Sequence, residues 1–157
     1  APLEWVAPGN SDTVEMEIVD WGRYSAPNAR FRQQVYQLGL LSDEQDQTMV
    51  LLKNADSNSG VEIGFSVRQL PCFSLWRNLV AESDGYVTGL EPATNYPNPR
   101  TVEERSGRVV YLHPAEKWQA DLALDWHLDE SAVARAEQKI SELQGSCEPV
   151  LHTRSIK

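Results

Sequence analysis

The chain has 157 residues, enough for one ordinary domain with a buried core. Its apolar fraction of 41% argues against wholesale disorder, and a net charge of −9 with no basic stripe argues against a nucleic-acid partner. No apolar run approaches the roughly 20 residues of a bilayer span, and no signal-peptide pattern is present, so a cytoplasmic protein without membrane association is expected. The opening APLEWV lacks a methionine, and an upstream portion is expected to be missing.

Strand signals dominate along the chain. Val14, Met16 and Ile18 alternate with Glu15 and Glu17, predicting a half-buried strand. Residues 33–40 have the same character, with Val35 and Tyr36. Residues 47–53 are apolar on both faces, as in a central strand. The turn cluster NADSNSG at 54–60 precedes an alternating run through Val61, Ile63, Phe65 and Val67, which predicts a β-hairpin. Two further strands are expected at 73–80 and 86–91. The loop 92–106 carries Pro92, Pro97 and Pro99 and is expected to be ordered by its own rigidity. Another strand is expected at 108–112. In 117–128, Trp118, Ala120, Leu122, Leu124, Trp126 and Leu128 share one face and read as a core stripe. One helix is predicted over 129–145, capped by Asp129 and ended by Gly145, with Val133, Ala136, Ile140 and Leu143 as its apolar stripe.

This pattern predicts an all-β protein, an antiparallel β-sandwich with one C-terminal α-helix. Its parts are a sandwich over 1–128, the helix over 129–145 and an irregular tail over 146–157. Cys72 and Cys147 read as two free thiols in a reducing compartment, although one disulfide is an alternative. His113, His127 and His152 have no ligand spacing, so no metal site is expected.

The segment LPCFSLWRNLVAESDGYVTGLEPATNYPNPR, at 70–100, concentrates the candidates for chemistry. Pro92 biases Glu91 toward extended backbone, which at a strand end points a carboxylate into a cleft. Burial and a nearby cation pull its pKa in opposite directions, and their balance suits a general base. The alternative is a solvated loop glutamate. Arg77 offers a donor fork to ligand oxygens, or packs its stem on the sheet. Trp76 must point away from Arg77 in a regular strand, and Trp76 reads as the core residue of the two. Asn95 presents an amide to a sugar or closes its own turn. Tyr86 and Tyr96 stack on a pyranose or pack in the core. His113 reads as a turn residue, and His127 lies on the polar side of the long strand.

The order LP…F..W[R/K]…YV.GLEPATN…R…G…YL.P.E.W resembles the C-terminal half of aldose 1-epimerase-like proteins, in the galactose mutarotase-like superfamily. Within that superfamily it is similar to a branch classed as a domain of unknown function. The resemblance covers 2–126 and is strongest over 70–118. Two positions depart from the pattern: Arg77 stands where lysine is common, and Ala115 replaces a turn glycine.

The resemblance implies one part of a β-supersandwich about twice this length, completed by a missing N-terminal half or by a second chain. It implies a carbohydrate-binding sugar isomerase that interconverts anomers without metal or cofactor. Glu91 would be the catalytic base, with Arg77, Asn95, Tyr86 and Tyr96 binding substrate. The acid would be a histidine upstream of Ala1. A non-catalytic sugar-binding or sensing module is the alternative.

Overall fold

The structure is a computed structural model, and it describes residues 2–5, 21–148 and 150–152. The strand expected around Val14–Ile18 lies outside these. The chain divides into two compact units. Of the described residues, one unit is built from 40–71 and 110–148, the other from 2–5, 21–39, 72–109 and 150–152.

The first unit holds a three-stranded antiparallel sheet of β3 (Gln47–Lys53), β4 (Gly60–Ser66) and β7 (Leu122–His127), with β4 in the middle. Its hairpin forms because Asn54 organises the turn. The Asn54 Oδ1 accepts from the backbone N–H groups of Asn58 and Ser59, at 3.1 and 3.2 Å. Helix α2 (Glu130–Gln144) packs against β3 and β7. The Asp129 side chain accepts from the Ala132 N–H at 2.8 Å, Val133 and Ala136 are buried, and Glu137 pairs with Lys53. Gly145 closes the helix with φ of 54°.

The stripe read as core on 117–128 is not core in this chain. Strand β7 covers only its second half, and Leu122, Leu124 and Trp126 are 55%, 61% and 72% exposed. Strand β7 is an edge, and α2 packs at the face that carries Lys53, His127 and Glu62. The strand pleat turns the leucines and Trp126 to the other face.

The second unit holds a five-stranded sheet in the order β6-β5-β2-β1-β8. The strands are β1 (Pro2–Trp5), β2 (Gln34–Leu38), β5 (Cys72–Asn78), β6 (Val87–Ala93) and β8 (Val150–His152). Neighbours are antiparallel except β1 and β8, which pair in parallel. The tail read as irregular thus supplies a short strand. Strand β6 runs two residues past Glu91, through Pro92. Proline has no N–H for a ladder, and an edge strand tolerates that loss.

Across the central strands, Leu38 faces Phe73 and Tyr36 faces Leu75, and all four are buried. These residues alternate with Gln37, which faces Ser74.

Loop 94–109 is held by a carboxylate and not by proline alone. It contains the short helix α1 (Arg100–Arg105). Glu103, 1% exposed, accepts from the Tyr96 N–H (3.1 Å), Asn98 Nδ2 (2.8 Å), and Arg108 Nε and Nη2 (2.7 and 2.8 Å). Arg108 is therefore a clamp, and the strand expected at 108–112 does not form. Among the described residues no helix is long and apolar enough to cross a membrane.

Candidate functional site on the five-stranded sheet

Residues directly opposite each other in an antiparallel pair share a face, and neighbours along a strand alternate. Ser74 is opposite both Gln37 and Glu91. The three side chains therefore form one polar row across β2, β5 and β6, about 10 Å long at ordinary strand spacing. Gln37 is buried and donates through Nε2 to Asn98 Oδ1 at 2.9 Å. Ser74 is 1% exposed, and its hydroxyl has no hydrogen-bond partner among the described residues.

Glu91 is exposed and makes no hydrogen bond or ion pair with any described residue. Its carboxylate bends back along β6 over Gly89, two positions earlier on the same face. A Cβ built on Gly89 would lie 3.1 Å from Glu91 Cδ and 3.3 Å from Cγ. The row thus ends on an acceptor whose lone pairs are not spent on any described residue.

Arg77 does not join it. It is opposite Thr88 and Gln34, on the other face of β5 from Glu91, and only 6% exposed. Its Nη1 donates to the Trp21 carbonyl at 2.9 Å. Its guanidinium lies over the Tyr24 and Tyr36 rings, 5.2 and 5.9 Å from their centroids. The expected roles of Trp76 and Arg77 are reversed. Trp76 shares the Glu91 face, is half-buried and donates to Gln33 Oε1 at 3.2 Å, while Arg77 is the interior residue. Aromatic rings and a carbonyl make the interior habitable for a guanidinium.

The other expected binding residues are largely engaged within the unit. Asn95 Nδ2 donates to the Tyr96 carbonyl at 2.8 Å, and its Oδ1 accepts from Thr94 Oγ1 at 3.3 Å. Tyr96 is buried, and its hydroxyl donates to the Leu38 carbonyl at 3.3 Å. The Arg108 guanidinium lies 5.2 Å from its ring centroid. Tyr86 keeps an exposed ring but donates to the Ser25 carbonyl at 2.9 Å.

His113 sits in a turn of the first unit, where its N–H donates to Glu116 Oε2 at 2.7 Å. In the same unit His127 Nε2 lies 3.0 Å from Glu62 Oε2. Cys72 is buried, with its Sγ 3.9 Å from the Thr94 carbonyl oxygen, and Cys147 is exposed. Among the described residues no group of three histidine, cysteine or carboxylate side chains could hold a metal.

Glu103 is the contrasting carboxylate of this unit. The hydrogen bonds from Arg108 hold it below the usual glutamate range, against burial, and Asn98 and the Tyr96 N–H pull in the same direction as Arg108. Sequence reading missed Glu103, Gln37, Ser74 and Gly89. The last three become legible once the pairing register is known.

Residues 1–125 match the family model described as "Domain of unknown function (DUF4432)". No curated protein matches the chain significantly. A crystal structure of a Klebsiella pneumoniae protein, described as a "putative aldose 1-epimerase", is similar to 99% of this chain with 33% identity and a TM-score of 0.87. The chain spans 42% of that protein's length. The mainly antiparallel sheets and one long helix match that epimerase-like fold, in agreement with the resemblance read from the 70–118 segment. With the family model matched over 125 of its 157 residues, the chain belongs to the DUF4432 family.

Proposed function

We propose that this chain is the base-bearing part of an aldose 1-epimerase-like sugar isomerase. The observation that carries the reading is Glu91, a carboxylate with no partner among the described residues, at the end of the Gln37–Ser74–Glu91 row. Its similarity to the Klebsiella pneumoniae protein supports the same class of chemistry.

In the proposed reaction Glu91 takes the proton of the anomeric hydroxyl. The C1–O5 bond breaks, its electron pair goes to O5, and an acid protonates that oxygen. The aldehyde rotates about C1–C2, and the reverse steps close the ring on the other face. Base and acid must flank the C1–O5 unit, so the acid is proposed to come from the portion of the protein outside this chain. The same portion is proposed to cover the apolar stripe of Leu122, Leu124 and Trp126, a kind of surface that marks an interface.

A non-catalytic sugar-binding module is the second reading. It is favoured by the internal engagement of Arg77, Asn95 and Tyr96, while Glu91 has no partner among the described residues.

The test is anomer interconversion of α-D-glucose and α-D-galactose by the full-length protein, followed by polarimetry. Glu91→Gln is expected to lower the enzymatic rate about 100- to 10,000-fold, the range for loss of a general base. Equal rates in the two proteins remove Glu91 from the chemistry. Sugar binding without any rate enhancement supports the second reading.

A further inference from the structure

Gly89 lies inside β6, opposite Trp76, and nothing in its backbone calls for glycine. The positive-φ glycines of the described chain are Gly85, Gly107 and Gly145, and Gly89 is not among them. Glycine inside a strand carries an entropic cost and packs nothing, so its presence signals a close approach of another group. Here the approaching group is the Glu91 carboxylate. A Cβ on residue 89 would collide with Glu91 Oε1 and would meet Cδ at 3.1 Å.

We propose that Gly89 is a positioning residue: it is the bare floor on which the Glu91 carboxylate lies, low along β6. The proposal rests on the reading of Glu91 as the base. Proton transfer needs the carboxylate oxygen within about 2.6–3.2 Å of the sugar hydroxyl. A long side chain free to sweep through solvent meets that condition rarely. Folded over Gly89, it lies at the level of Trp76 on β5, and the anomeric hydroxyl is received by the carboxylate there. A methyl group there pushes the carboxylate off its seat. The obstructing atoms are the far end of a flexible side chain, so the strand itself has no reason to move.

The test uses the full-length protein with Gly89→Ala, Glu91→Gln and the double variant, with α-D-glucose as substrate. Gly89→Ala is expected to lower kcat about 100-fold, the scale of a 1 Å misplacement, with KM within about threefold. Its melting temperature is expected to equal or exceed the parent's, because alanine relieves the glycine entropy cost. In the double variant the loss is expected to match that of Glu91→Gln alone, because both changes act through one group.

Wild-type kcat in Gly89→Ala, with Glu91→Gln impaired, overturns the positioning role and leaves the base assignment standing. A collapsed melting temperature, or additive losses in the double variant, also overturns it. An unimpaired Glu91→Gln defeats the base assignment instead. A crystal structure of Gly89→Ala with the carboxylate still in place defeats the positioning role whatever the kinetics.

Discussion

Glu91 and Glu103 lie twelve positions apart in the same unit, and their surroundings could hardly differ more. Glu103 is buried and takes hydrogen bonds from Tyr96, Asn98 and twice from Arg108. Glu91 is exposed and takes none from the described residues. The first has spent its acceptor capacity on tying a loop together. The second has spent none of its own on the described residues. The contrast separates a carboxylate that builds the structure from one the structure presents.

Paired substitutions break or sharpen this contrast. The largest effect is expected at Glu91. On the proposed function, Glu91→Gln is expected to lower mutarotation about 100- to 10,000-fold and to leave the unfolding free energy unchanged. Glu103→Gln is expected to do the reverse in urea unfolding. It costs about 3 kcal/mol, because Arg108 loses its counter-charge and one of the two oxygens that accept from it becomes an NH2 donor. If both variants fall in stability alike, the division of roles is wrong.

Arg77→Met comes next, with an expected loss of about 2 kcal/mol from the charged hydrogen bond and ring contacts. Its KM for α-D-glucose should be unchanged. A raised KM at parental stability would return Arg77 to the binding site.

The smallest effect is in pH dependence. The folded-state pKa of Glu103 is depressed, so its stabilisation is complete above the usual glutamate value of 4.5 and is lost as pH falls through the folded value. Urea midpoints of the parent should therefore fall more steeply below that pH than those of Glu103→Gln. Parallel curves would show that the Arg108 clamp is not what holds this carboxyl ionised.

Much of the architecture was legible because alternation and turn chemistry are local. The 54–60 turn, the β3–β4 hairpin and the Asp129 cap each depend on residues a few positions apart. The extended backbone at Glu91 was legible through Pro92, which disfavours helix at the preceding position, although the strand ends at Ala93 and not at Glu91. The partners proposed for Glu91 were not. Arg77 was placed beside it because both lie in one sequence segment, yet the pleat puts them on opposite faces of the sheet. The stripe around Trp126 shows the same limit in another form. Periodicity reveals that a face is apolar, but not what covers it.

The sequence by itself determined an acidic all-β chain with one capped helix, because charge, strand alternation and capping are written in neighbouring residues. Only the tertiary structure decided which polar residues stand in a row. Gln37, Ser74 and Glu91 are brought together by hydrogen bonds between strands distant in the chain, and a register slipped by one residue would have turned them away from one another.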